Sequence, residues 1–419
     1  MQATLSPVSS SDARPGLIHD WNAPEGEPVA GRVPALLDDT LRDGLQNAAV
    51  RTPSADEKAD MLRLMAGIGV DCVNLGLPGS SPRAFDDAVH ACGVVANERL
   101  ALRVAVAGRT LDADMHAIVD LAQKTGIALE AHAFVGSSEI RWFAEGWDLE
   151  RVRRMTEGAL AILRRAGLSA TFVTEDTTRS RPAVLHELFA IALDAGASRL
   201  CLCDTVGHAT PEGVRRLVSF TRSLLTERAP GVLLDWHGHN DRGLALANAL
   251  AALDAGVHRA HATALGVGER VGNVPMELLA MNLVLAGRLA IEPRALARYA
   301  ERSAAALGWT IPANYPLVGE NAFRTATGVH AAAIAKARKK SAWVADRVYS
   351  AVPAAPLGRA HEIFVGAMSG SANVVAWLDR HGIAQSPELI AAVLDHARAS
   401  DRVLTDPEIL EVVTRSRRA

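Results

Sequence analysis

A (β/α)8 barrel followed by a mostly helical C-terminal region is the fold this sequence predicts, and three observations predict it. Short apolar runs of strand length recur eight times between Pro34 and Thr263. Each is followed by a stretch with apolar residues at helical spacing, and the repeat fills roughly 250 residues, the size of such a barrel. The composition is 49% hydrophobic but only 4% aromatic, which suits small aliphatic residues packing helices onto a parallel sheet. An open doubly wound sheet fits less well, because no Gly-rich fingerprint follows the first strand.

The strands expected in order are 35–40 (ALLDDT), 72–77 (CVNLGL), 100–107 (LALRVAVA), 127–134 (IALEAHAF), 170–175 (ATFVTE), 199–204 (RLCLCD), 232–237 (VLLDWH) and 258–263 (HRAHAT). Helices are expected over 55–69, 111–126 and 241–256, among others, each closed by a glycine suited to a C-cap. Residues 1–30, rich in Ser, Pro, Ala and Gly, read as a flexible leader. The barrel is assigned to 31–290 and the helical region to 291–419, where KARKK (336–340) reads as a solvated helix face.

With 44 Lys+Arg against 47 Asp+Glu the net charge is −3, so no basic field draws in nucleic acid or an anionic membrane. No signal-peptide pattern and no run of 18 apolar residues is found, and the four cysteines follow no disulfide-scaffold spacing; a cytoplasmic protein with reduced thiols is expected.

In such a barrel, chemistry gathers where strands end and loops begin. The first strand runs into Arg42-Asp43, a guanidinium able to stabilise an oxyanion beside a carboxylate able to bind a hard metal. The seventh ends in Asp235-Trp236-His237-Gly238-His239, and residues two apart on a strand face the same way, so His237 and His239 can offer nitrogens to one metal. With Asp43 they make a two-His, one-carboxylate set that leaves open positions for substrate and suits zinc, manganese or, less comfortably, magnesium. Cys201-Leu202-Cys203 is read as wall or core, since the histidine pair already supplies a metal site.

Three strings taken together, DTLRDGLQ, HGHNDRGLALAN and GVGERVGN, resemble the 2-isopropylmalate, homocitrate and citramalate synthase family, metal-dependent barrels related to hydroxymethylglutaryl-CoA lyase. NYPLVGENAFRTATGVHAAAIAKARKK is similar to that family's C-terminal linker domain. The resemblance implies condensation of acetyl-CoA with a 2-oxo acid and hydrolysis of the thioester. It implies a divalent metal (Zn, Mn or Mg) on Asp43, His237 and His239 with Asn273 close by, and Arg42 stabilising an alkoxide with Glu269 buttressing it. It gives Gln46, His132, Thr205 and Asn74 to the substrate, and makes His330 a residue that enters the barrel of a second copy, pairs with Glu175 and assists proton transfer. A homodimer with shared active sites follows.

The sequence departs from the family at defined points. Leu45 stands where synthases carry a polar residue, so RDGLQN reads more like the lyases, whereas 266–273 lacks the cysteine that lyases place there. Asn74 stands where a glutamate is usual, and no leucine-binding regulatory domain is expected within 419 residues. The fourth strand offers Glu130-Ala131-His132-Ala133-Phe134 where homocitrate synthases place an arginine, leaving His132 or Arg109 as substitutes. A buried carboxylate without a cation is costly, so an apolar-tailed acid such as 2-oxoisovalerate, in leucine biosynthesis or a specialised route, is expected. A lyase and a non-catalytic metal-binding barrel are the competing readings.

Overall fold

The structure, a computed structural model, describes residues 16–19, 21–22 and 33–417, so most of the expected leader lies outside the described residues. Two compact units are present, one over Gly31–Thr310 and one built on Ile311–Ala419.

Eight strands form the first unit: β1 (Ala35–Asp38), β2 (Cys72–Asn74), β3 (Arg103–Arg109), β4 (Leu129–Gly136), β5 (Ser169–Glu175), β6 (Arg199–Asp204), β7 (Leu233–Gly238) and β8 (Arg259–Ala262). Each pairs in parallel with the next, and β1 pairs with β8, so the sheet closes into a barrel. Every expected run contributes one strand. The second is shorter than read, because Gly76 turns the chain at φ +112° just after Asn74. Helices follow each strand, and that at Ala55–Gly67 starts with a capping box in which Ser54 accepts from the Glu57 N–H while Glu57 reaches back to Ser54 N.

The boundary expected at 290 falls instead at Thr310. Helix Pro293–Leu307 belongs to the barrel unit: its buried Tyr299 donates its hydroxyl to Asp38 Oδ2 on β1 at 2.5 Å, and the Leu307 carbonyl accepts from Arg51 N at 2.9 Å. Burial pushes the Asp38 pKa up to about 6, and the hydrogen bonds from Thr40 and Tyr299 oppose that rise.

Charge fills the lower barrel. Arg259 is fully buried and donates to Asp235 at 2.6 and 2.9 Å and to Glu130 at 3.1 Å; Arg199 donates to Asp235 at 2.6 Å, and Thr171 Oγ1 to Glu130 at 2.7 Å. Two cations and two anions cancel, and Arg259, Asp235 and Glu130 each have several hydrogen bonds, the condition under which buried ions are tolerated.

The second unit is mostly helical, as expected. Helices Ser371–Arg380, Pro387–Arg398 and Asp406–Ser416 share a core of Val374, Trp377, Val393 and Ile409, and a two-stranded parallel ladder joins Arg324–Thr325 to Glu362–Ile363. Among the described residues no helix is long and apolar enough to cross a membrane.

Candidate active site

At the C-terminal ends of the strands lies a cavity of about 280 Å³, lined among others by Arg42, Asp43, Asn74, His132, Glu175, Thr205, His237 and His239. Parallel pairing sets Cys203 beside His237, and the strand's alternation turns His237 and His239 inward together. Asp43 arrives from the turn after β1, whose amides at 42, 43 and 44 all donate to the Asp39 carbonyl.

Three ligand atoms converge. Asp43 Oδ2 is 3.1 Å from His237 Nε2 and 3.2 Å from His239 Nε2, and the two nitrogens are 3.4 Å apart. Asp43 and both histidines are buried, yet Asp43 Oδ2 has no aligned hydrogen-bond donor, and Asn273 Oδ1, on a residue bridged to His239, is also unsatisfied. Buried oxygens left without donors beside facing imidazole nitrogens fit a cation at their centre. The electrostatics agree. Burial alone would raise the Asp43 pKa, but Arg42 and the two histidines hold it well below the ordinary carboxylate range. Burial likewise works against a charged His237, but the carboxylates of Asp39 and Asp43 standing close to its two ring nitrogens raise its pKa to about 10. Positive charge is favoured there, and a divalent ion would take the place of that proton.

Arg42 is held by Asp39, which accepts from Nε at 3.2 Å and from Nη2 at 2.7 Å. Glu269, expected in that role, lies exposed with its carboxylate 3.7 Å from Arg270. Its neighbour Arg270 donates to Asp241 at 2.8 and 3.0 Å and to the Thr205 carbonyl at 2.6 Å, and Glu269 and Arg270 both line the cavity. The loop's glycines are sterically required. A Cβ on Gly268 would lie 1.9 Å from Asn273 Nδ2, and one on Gly272 the same distance from the Gly266 carbonyl oxygen.

The remaining expected residues fall as follows. Thr205 Oγ1 accepts from Asp176 N at 2.8 Å, which leaves its O–H to donate. Asn74 is buried with Oδ1 on Gly76 N at 3.2 Å and Nδ2 without a partner. Gln46 is exposed at the rim. The His132 ring nitrogen Nε2 faces Glu130 at 2.9 Å. Glu175 is raised above its ordinary pKa by burial, against the pull of Arg141 Nε at 3.3 Å. His330 lies in the other unit, exposed on helix Gly328–Arg338 with its ring stacked on Tyr349, centroids 3.9 Å apart. Cys201 and Cys203 are buried wall residues with free thiols.

Sequence reading missed Asp39 and His261. Asp39 Oδ2 stands 3.2 Å from His237 Nδ1, and His261 Nε2 faces Asp235 at 3.1 Å. The signal was the doubled acid of ALLDDT, where one carboxylate serves the helix behind β1 and the other the mouth.

Comparison with known proteins gives the family. The HMGL-like family model matches residues 33–300. A probable 2-isopropylmalate synthase of Ignicoccus hospitalis is 29% identical over 395 residues, covering 90% of this chain and 91% of the relative. A putative (R)-citramalate synthase of Methanosphaerula palustris is 32% identical over 384 residues, covering 90% and 72%. Among solved structures, hydroxymethylglutaryl-CoA lyase from Pseudomonas aeruginosa superposes with a TM-score of 0.57 at 21% identity over 67% of this chain and 95% of that one, a likeness of fold. The chain thus belongs to the HMGL-like family, alongside the 2-isopropylmalate, citramalate and homocitrate synthases.

Proposed function

We propose that this chain catalyses a divalent-metal-dependent condensation of acetyl-CoA with an apolar-tailed 2-oxo acid, best 2-oxoisovalerate to give 2-isopropylmalate, and hydrolyses the thioester to release CoA. The observation that carries the reading is the convergence of Asp43, His237 and His239 within 3.4 Å of one another beside the guanidinium of Arg42. When bound, a divalent cation supplies Lewis acidity to the keto group. Arg42 meets the negative charge that develops on the former keto oxygen. The Thr205 hydroxyl donates to the acid's carboxylate, and Asn74 Nδ2 offers a second donor. Glu175, together with His330 from a second copy, takes the methyl proton of the thioester and then activates water, in a homodimer with shared sites.

The choice of acid is supported by where the cations are engaged. Arg109, one of the two substitutes for a distal-carboxylate partner, is held by Asp114 through Nε and Nη2, both at 2.9 Å, and His132 is turned to Glu130. Leu77, Ala107, Phe134 and Val173 line the cavity. A second carboxylate would meet these apolar walls, while an isopropyl group suits them.

The test is release of CoA thiol from acetyl-CoA with 2-oxoisovalerate, pyruvate and 2-oxoglutarate, with manganese or zinc added. Fastest turnover with 2-oxoisovalerate is expected. Release with none of the acids contradicts a synthase, and preference for 2-oxoglutarate contradicts the substrate assignment.

A further inference from the structure

We propose that Asp39 is a positioning residue that fixes a metal-binding histidine and the oxyanion-stabilising arginine with one carboxylate; the proposal rests on the metal site described above. Asp39 is 1% exposed and held from both sides by backbone: its N–H donates to the Ala262 carbonyl at 2.8 Å, and its own carbonyl accepts from the amides of 42, 43 and 44 at 3.1, 2.8 and 3.1 Å. A side chain on so constrained a backbone has little freedom, and both its oxygens are used. Oδ1 accepts from Arg42 Nε at 3.2 Å; Oδ2 accepts from Arg42 Nη2 at 2.7 Å and lies 3.2 Å from His237 Nδ1.

Two consequences follow. A carboxylate at Nδ1 keeps the proton of His237 on that nitrogen, so Nε2, the atom facing Asp43 and His239, presents its lone pair. The two-point contact also fixes the plane of the guanidinium, which a single contact would leave free to turn. Because Oδ2 is shared, the histidine and the arginine hold a common reference, and displacement of the carboxylate disturbs both.

Asp39, His237 and His261 also have the spacing of a second metal-binding cluster. The charges argue against that use. Arg42 already occupies Oδ2 at 2.7 Å, His261 Nε2 faces Asp235 at 3.1 Å, and His237 would have to bridge two ions as an imidazolate beside a guanidinium. The cluster acts as an outer support, with His261 Nδ1 3.9 Å from Asp39.

The test is a cobalt(II) titration of the metal-free full chain, followed by visible d–d absorption, for wild type, Asp39→Asn and Asp39→Thr. The threonine variant is included because its β-branched side chain suits the end of a strand if the asparagine variant does not fold. Wild type is expected to take up one cobalt per chain. Both variants are expected to bind it about 10–100-fold more weakly, with an altered spectrum. At saturating cobalt, kcat for CoA release should still fall by roughly tenfold or more while KM for the oxo acid stays within about twofold, since the guanidinium has lost its holder. A folded variant with wild-type cobalt affinity and spectrum overturns the positioning role. A second wild-type cobalt that is lost in the variants overturns it by making Asp39 a ligand. Wild type that binds no cobalt overturns the metal site itself, and this inference with it.

Discussion

The barrel interior holds two groups of buried polar side chains that differ in how well they are satisfied. In the lower group Arg199, Arg259, Glu130 and Asp235 balance in charge, with contacts at 2.6–3.1 Å. In the upper group Asp43 Oδ2, His239 Nδ1, Asn273 Oδ1 and Asn74 Nδ2 are buried without an aligned hydrogen-bond partner, although two imidazole nitrogens stand 3.1 and 3.2 Å from Asp43 Oδ2. Both sets are enclosed by the same eight strands, so burial alone does not mark the functional one. The difference lies in completion. The lower set has every charge answered and behaves as a polar core, whereas the upper set is a half-filled coordination sphere and cavity that a metal and a substrate would complete. Between the two stands a ladder of alternating acids and imidazoles, Asp235, His261, Asp39 and His237, with successive gaps of 3.1, 3.9 and 3.2 Å.

Mutations that separate the two sets sharpen or break this contrast. The largest effect is expected at the top: His239→Ala should reduce CoA release by more than the roughly 100-fold typical of losing an outer-shell partner, with loss of bound metal by elemental analysis. Its urea melting should be little changed, since an imidazole with an unsatisfied Nδ1 is removed. Gly268→Ala, which drives a Cβ toward Nδ2 of the buried Asn273, should lower kcat by up to about 100-fold through displacement of the loop, with a stability loss of about 1–3 kcal/mol in urea melts, smaller than that of Arg259→Met. At the bottom the pattern reverses. Arg259→Met should cost about 3–5 kcal/mol in urea melts by leaving Asp235 and Glu130 under-paired, while metal affinity of the folded fraction is retained. If instead His239→Ala destabilises as much as Arg259→Met, the distinction between the two sets fails.

The smallest effect is a pH dependence. Burial would raise the Glu130 pKa, but His132 and Arg259 more than reverse this and hold it well below the ordinary range. A depressed carboxylate contributes stability above its unfolded pKa of about 4.3 and loses that contribution as pH falls toward the folded value. The stability gap between wild type and Glu130→Gln should therefore be full at neutral pH and shrink steadily below about pH 4 in thermal melts. A gap that widens on acidification would contradict the assignment of Glu130 as a paired anion.

Much of this was legible from residues alone, for definite reasons. Strand positions could be read because parallel strands buried on both faces appear as unbroken apolar runs, and His237 and His239 because a strand's two-residue period makes their common face a local fact. The lower ion network was not legible. Glu130, Arg199, Asp235 and Arg259 come from β4, β6, β7 and β8, up to 129 residues apart, and meet only when the barrel closes. The support of Arg42 by Asp39 is local in sequence, three residues apart, but which carboxylate meets the guanidinium depends on how the turn after β1 is bent, which the residues alone do not give. The helix at Pro293–Leu307 was placed outside the barrel because its tie to β1, Tyr299 to Asp38, spans 261 residues.

The central claim is that a divalent metal on Asp43, His237 and His239 serves condensation of acetyl-CoA with an apolar 2-oxo acid. It is tested most directly by stripping the full chain with a chelator and restoring manganese or zinc while CoA release with 2-oxoisovalerate is followed. The account predicts release that disappears on stripping, returns on restoration in wild type, and does not return in Asp43→Asn. Release that persists undiminished in the stripped protein, or that is restored equally in Asp43→Asn, would contradict it.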